Sequence, residues 1–245
     1  MRVHIGTSGY NYKHWSKGVF YPDGLPQSRW LDYYVKHFDT VELNVTFYRL
    51  PKESAFKSWD KRSPEGFVFA VKGSRYMTHL KRLKDSEDSL KKLAGQVAPL
   101  RSKIGCYLWQ MPPNFKRNDD RLRDFCRNIK KNHHFRLYKQ VFEFRHDSWF
   151  AGEVYDILRE NGFCLCWFDS TEIEGKTELT SDYLYLRFHG SRSRYSSDYT
   201  DKELKAWARK IKKHKKDIKD VYVYFNNDAQ GYAVKNARTF RGFLE

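Results

Sequence analysis

Leu184-Tyr185-Leu186-Arg187-Phe188-His189-Gly190 is the stretch on which the reading of the fold turns. An apolar, aromatic run takes an arginine and a histidine at alternate places and stops at a glycine. Side chains alternate across a strand, so Tyr185, Arg187 and His189 share one face. Removing such groups from water without partners costs several kcal/mol each. Three other runs break off in the same way: Val41-Glu42-Leu43-Asn44, Val141-Phe142-Glu143-Phe144-Arg145-His146 and Val221-Tyr222-Val223-Tyr224-Phe225-Asn226-Asn227-Asp228. That cost, repeated at the same end of successive strands, points to a shared polar pocket.

Working outward, strand-like runs fall near 3–7, 39–44, 67–72, 104–110, 139–145, 163–168, 183–189 and 221–226. Between them apolar residues recur at helical spacing, as in Leu90, Leu93, Ala94 and Val97 or Leu122, Phe125, Cys126 and Ile129. A shorter helix is expected near 53–61. Strands alternating with helices predict a parallel sheet. Eight of them predict an α/β fold closed into a single (β/α)8 TIM-like barrel. The crossover between the sixth and seventh strands is short, and Glu172-Ile173-Glu174-Gly175-Lys176 is a poor helix. That crossover is expected to be reduced to a loop or a single turn. No linker or low-complexity segment divides residues 1–245, which read as one domain.

Composition excludes several classes. Forty per cent hydrophobic residues with 17% aromatics are incompatible with a disordered chain. Met1-Arg2-Val3-His4-Ile5-Gly6 lacks the apolar stretch of a signal peptide, and no run approaches a membrane span. Cys106, Cys126, Cys164 and Cys166 show no Cys-x-x-Cys spacing, and a cytoplasmic location with reduced thiols is expected. The net charge of +16 favours polyanionic partners, a small anion or nucleic acid. Part of it is the solvated face of a helix over 202–219, where Leu204, Trp207, Ala208 and Ile211 stand at helical spacing among the lysines.

At the mouth of a barrel, strand-end residues surround one site. Glu42, Glu143, Asp169 and His189 are the catalytic candidates. Asn44, Lys72, His79, Gln110, Arg145, Arg187 and Asn226 are candidates for holding substrate. Three chemistries are open to such a set. Glu42 and Glu143 could divide acid and base roles, as in a hydrolase or isomerase. Glu42, Glu143, Asp169, His79 and His189 could hold a divalent metal, although no paired His or Cys spacing favours one. Arg187, Arg145 and Lys72 could clamp a phosphate or carboxylate. Against these stands a purely structural alternative, in which Glu143–Arg145 and Glu42–Lys72 are internal ion pairs.

The loop Gly190-Ser191-Arg192-Ser193-Arg194-Tyr195 follows the seventh strand, where barrels often bind phosphate, which makes Arg192 and Arg194 phosphate candidates. Aromatic residues crowd the segments after the first three strands. Most are expected to pack, with Trp15 and Tyr48 chosen as ligand contacts.

Seven strings carry a resemblance: Ile5-Gly6-Thr7-Ser8-Gly9-Tyr10, Val41 to Pro51, Thr78-His79-Leu80-Lys81-Arg82-Leu83, Gln110-Met111-Pro112-Pro113-Asn114-Phe115, Glu143-Phe144-Arg145-His146-Asp147-Ser148-Trp149, Arg187-Phe188-His189-Gly190 and Phe225-Asn226-Asn227-Asp228. In this order they resemble the YecE-like family (domain of unknown function 72). The resemblance runs from Ile5 to about Ala237, with Tyr10 a departure where relatives commonly have Trp. It implies a TIM-like barrel and no established activity. Such a barrel is distantly similar to a superfamily of sugar isomerases and an abasic-site endonuclease with carboxylate and histidine metal ligands, whose full ligand set this sequence does not show. Together these readings predict an enzyme acting on a phosphate-bearing substrate. A nucleic-acid-binding protein without catalysis and a binder of a sugar or organic acid are the alternatives.

Overall fold

The computed structural model describes residues 1–244. Its strands are β1 (Arg2–Thr7), β2 (Thr40–Leu43), β3 (Val68–Lys72), β4 (Ile104–Gln110), β5 (Lys139–Glu143), β6 (Cys164–Leu165), β7 (Trp167–Asp169), β8 (Tyr183–Phe188) and β9 (Asp220–Phe225). Its α-helices are α1 (Trp30–Tyr34), α2 (Val45–Tyr48), α3 (Glu53–Arg62), α4 (Glu87–Val97), α5 (Asp119–Lys131), α6 (Gly152–Asn161), α7 (Asp201–Lys213) and α8 (Tyr232–Leu244). The strands form two parallel sheets, one of four in the order β1-β9-β8-β7 and one of five in the order β2-β3-β4-β5-β6.

The sequence predicts one sixth strand over 163–168, and here the structure differs. The run is cut at Cys166 into β6 and β7, one in each sheet, so nine strands stand where eight are expected. The physical reason lies in the hydrogen bonds of β6. The Leu165 amide donates to the Thr180 hydroxyl at 2.7 Å, and that hydroxyl donates to the Phe163 carbonyl at 2.7 Å. A side chain thus takes the ladder position that a neighbouring strand would fill. No helix lies between β7 and β8, in keeping with the poor helical sequence there.

The chain divides into two compact units. One comprises residues 1–42, 167–177 and 182 onward; the other comprises 43–166 and 178–181. In the first, alternation along β8 sends Phe188 toward the helices, where it stacks on Phe225 and meets Trp207 of α7 and Phe240 of α8 edge-on. Tyr185 and Arg187 therefore face the other way. Helix α7 begins with a capping box, Thr200 accepting from the Glu203 amide and Glu203 from the Thr200 amide. In the second unit Trp109 of β4 and Phe142 of β5 pack against Phe125 of α5. Gly73, following β3, lies so close to Trp109 that a Cβ there would sit 2.3 Å from the indole. All four cysteines are buried and none is in a disulfide. Among the described residues no helix is long and apolar enough to cross a membrane.

Candidate functional site

Two polar clusters form at the carboxyl ends of the strands, one in each unit. In the first, β1 ends at Thr7, and Ser8 bridges to Glu42 of β2. The Glu42 carboxylate is fully buried. One oxygen accepts from Tyr185 Oη at 2.6 Å and the other from Arg187 Nη2 at 2.7 Å. Arg187, only 1% exposed, reaches His189 with its other terminal nitrogen, Nη1 lying 3.3 Å from Nε2. His189 Nδ1 then lies 3.1 Å from the amide of Asn226, which follows β9. A guanidinium can only donate, so Nε2 is the bare acceptor and the imidazole proton sits on Nδ1. The Asn226 amide is then turned over from the orientation that sets its Nδ2 3.1 Å from Nδ1, bringing Oδ1 to that place. A carboxylate, a guanidinium, an imidazole and an amide form one hydrogen-bonded line across the ends of β2, β8 and β9. The buried Ser8 hydroxyl has no hydrogen-bond partner among the described residues.

In the second unit Glu143 ends β5, and Arg145 turns back to it, Nε donating to Oε1 at 2.5 Å. Both are buried, and Cys166 Sγ lies 3.9 Å from the other carboxylate oxygen. Gln110 pairs with Glu143 in the β4–β5 ladder and so shares its face. Lys72, ending β3, holds its ammonium 4.3 Å from the centre of the Phe47 ring. The Thr46 hydroxyl lies 2.6 Å from the Lys72 carbonyl and 2.9 Å from the Leu43 carbonyl, fixing the turn of α2 beside β3. His79 meets Phe47 edge-on, and its Nδ1 lies 2.9 Å from the Thr78 hydroxyl. Burial first, then the charges of Lys72 and Arg75, push its pKa down to about 4, so the ring is neutral at pH 7. Asn44 keeps a buried Oδ1 without a hydrogen-bond partner among the described residues.

The sequence candidates therefore separate. Glu42, Arg187, His189 and Asn226 meet in the first unit; Glu143 pairs with Arg145 in the second, where Lys72 and His79 gather about Phe47. Glu42 bonds to Arg187, where the structural alternative in the sequence pairs it with Lys72. Asp169 does not join them. It pairs with Phe188 in the β7–β8 ladder, hence faces the helices, and bonds to Tyr199 and Trp207. Burial, opposed by those bonds, raises its pKa. Alternation through Leu165, Trp167 and Asp169 gives this helix-facing side; its place at a strand end alone does not.

Trp15 is fully buried, donates to the Asp228 carbonyl at 2.8 Å and packs on Tyr12 and Phe20, which makes it a packing residue rather than a ligand contact. Tyr48 is 77% exposed. Arg192 donates to the Asp198 carbonyl at 2.7 Å, while Arg194 pairs with Glu172 and lies over the Tyr195 ring. Both loop arginines are thus engaged beside their own loop. Gly190 opens that loop at φ +106°, where a side chain would strain the backbone and its Cβ would meet the Ser193 carbonyl at 2.2 Å. Ser8, Thr46 and Cys166 escaped the sequence reading. Ser8 alone carried a signal, standing directly past a strand end in Gly6-Thr7-Ser8-Gly9. Among the described residues no group of three or more His, Cys, Asp and Glu side chains is placed to hold a metal ion.

The family model described as "Protein of unknown function DUF72" matches residues 4–245. The UPF0759 protein YunF of Bacillus subtilis is 27% identical over 99% of this chain and 95% of its own length. The UPF0759 protein YecE of Escherichia coli is 31% identical over 38% of each chain. The crystal structure of a DUF72 family protein (TM1631) from Thermotoga maritima superimposes with a TM-score of 0.88 at 32% identity, covering 100% of this chain and 99% of that one. SacUVDE shares the fold at a TM-score of 0.57 and 10% identity, covering 99% of this chain and 98% of its own. Its likeness places the two parallel sheets among TIM-barrel-like α/β folds.

Proposed function

We propose that this chain, which belongs to the DUF72 family, is an enzyme acting on an anionic, phosphate-bearing substrate at the cluster of Glu42, Tyr185, Arg187, His189 and Asn226. The observation that carries this reading is the buried Arg187 guanidinium, fixed at one end by Glu42, whose other oxygen Tyr185 holds, and touching His189 at the other. A buried ion pair is weak support for stability, since apolar side chains of similar volume often serve as well. A fixed cation in a desolvated place is strong support for stabilising developing negative charge.

In this reading Arg187 binds the anion, and Glu42 and Tyr185 position Arg187. His189 moves the proton, with Asn226 fixing its tautomer. Substrate would replace the long Arg187–His189 contact at Nε2. The Ser8 hydroxyl supplies a further hydrogen bond to the ligand. Glu143 holds Arg145 in the second unit as Glu42 holds Arg187 in the first, so both glutamates act through a guanidinium. Acid–base transfer beside a fixed cation suits a hydrolase and an isomerase alike. The net charge of +16 supports a polyanion such as nucleic acid as one form of the substrate, and buried cysteines without disulfides support a cytoplasmic location.

The test is binding of inorganic phosphate by calorimetry, together with turnover of p-nitrophenyl phosphate and its bis ester. His189→Gln is expected to lower turnover by about 10²–10⁴-fold and to keep phosphate affinity. Arg187→Lys is expected to weaken phosphate binding, because the planar fork is lost. A wild-type protein that neither binds phosphate nor turns over either ester refutes the proposal.

A further inference from the structure

Six large hydrophobic side chains stand exposed among the described residues: Met1, Val19, Tyr48, Tyr76, Leu80 and Leu137. Three of them, Tyr48, Tyr76 and Leu80, line a single cleft of about 510 Å³ in the second unit. Its walls come from the end of α2, the turn after β3 and the face of α4. Exposed aromatic surface gathered in one place marks a binding surface, whereas the same residues scattered would not. The volume falls in the range of small-ligand and single-residue pockets.

The charge around the cleft narrows the occupant. Arg49, Arg75 and Lys92 line it, and among the described residues no carboxylate does. Tyr48 and Tyr76 are 77% and 50% exposed, so ring surface as well as the hydroxyl is open to solvent. Residues 76–80 form a widened π-helical turn, which puts Tyr76 and Leu80 on the cleft. Rings flanked by cations match a chain of flat bases joined by phosphates. A duplex hides its base faces and would use the cations alone, whereas a single strand engages the rings and the cations together. We infer that this cleft is a binding groove for single-stranded nucleic acid, with bases stacked on Tyr48 and Tyr76 and phosphates held by Arg49, Arg75 and Lys92. The inference goes beyond the proposed reaction and does not depend on it. A protein that binds single strands here and turns nothing over satisfies it.

The experiment measures fluorescence anisotropy of a labelled oligothymidylate of about twelve nucleotides, and of a duplex of the same length, with the full chain. The single strand is expected to bind more tightly than the duplex. Tyr48→Ala and Tyr76→Ala are each expected to weaken single-strand binding about tenfold and to leave duplex binding unchanged. Both residues are exposed, so circular dichroism of the variants should match the wild type. Arg75→Gln with Lys92→Gln should flatten the dependence of log affinity on log salt by about 0.7 for each phosphate no longer neutralised. Absence of single-strand binding by the wild type overturns the inference. So does single-strand affinity within twofold of wild type in the Tyr48→Ala, Tyr76→Ala double variant. Equal loss of duplex binding in that variant, or capture of phosphatidylglycerol vesicles in place of the oligonucleotide, would also overturn it.

Discussion

Substituting Glu42 by Gln removes one negative charge and almost no volume beside a guanidinium that is 1% exposed. Glutamine keeps a single oxygen; turned to Arg187 Nη2, it presents its NH2 group to Tyr185, whose hydroxyl can accept, so the change removes chiefly the charge of the Glu42–Arg187 pair. Removing one partner of a buried pair costs about 3–5 kcal/mol, because the remaining charge was desolvated on the strength of its counterion. Arg187 also touches His189, and the retained amide oxygen can still accept from Nη2, which places the expected loss near the lower end, about 3 kcal/mol. For a chain of this size that is a fall in Tm of about 6–12 °C. Urea unfolding followed by circular dichroism reads the loss directly, and the double variant Glu42→Gln, Arg187→Met completes the cycle. Replacing the stranded cation by an apolar chain should recover at least about 1 kcal/mol relative to the sum of the single losses. A Glu42→Gln protein within about 1 kcal/mol of wild type would refute the reasoning, as would a double variant that is additive within about 0.5 kcal/mol.

His79 provides a pH test: its folded pKa of about 4 lies below the ordinary 6.5, so the unfolded chain binds the extra proton between those values. Its contribution is therefore complete above pH 6.5 and is lost as pH falls toward 4, and urea midpoints across this window should fall less steeply in His79→Gln; an unchanged slope would count against the burial of this ring. Gly73→Ala should destabilise the second unit by about 1–3 kcal/mol, since the new methyl meets an indole fixed by its bond to Gln140, and thermal melts should show it. Gly95→Ala, in an exposed turn of α4 with open space around it, should raise stability by about 0.5–1 kcal/mol in the same assay. Thr200→Ala removes the capping box of α7 and should cost about 1 kcal/mol, with amide exchange rising first in the opening turn of that helix.

Much of the architecture was legible because period-two alternation and helical spacing are local signals. The runs at 104–110 and 221–226 agree with β4 and β9 to within a residue, and the apolar spacing over 122–129 lies within α5. The break at Cys166 was not legible. The apolar run Phe163-Cys164-Leu165-Cys166-Trp167-Phe168 does not reveal that a hydroxyl fifteen residues beyond Leu165, that of Thr180, takes the Leu165 amide. At the site, residue types and strand ends could be read, but partners could not. The sequence shows three buried cations and two buried glutamates without saying that Glu42 takes Arg187 while Glu143 takes Arg145. Arg192 and Arg194 illustrate the limit: loop composition suits phosphate, yet Asp198 and Glu172 hold those side chains.

The helix-free passage from β7 to β8 has a consequence for how this chain can change length. Residues 171, 172 and 174 are exposed, and no helix there must keep its register with the sheet. Doubling such a connection adds only about 0.6 kcal/mol of closure entropy. Gly175 is one fixed post, since a Cβ there would meet the Phe168 carbonyl at 2.4 Å, and Thr180, bonded to Leu165 and Phe163, is another. Lineages and engineers alike therefore have a natural splice point just ahead of Gly175, between Thr171 and Glu174, where a reporter or an additional module could be grafted with the β7–β8 ladder left intact.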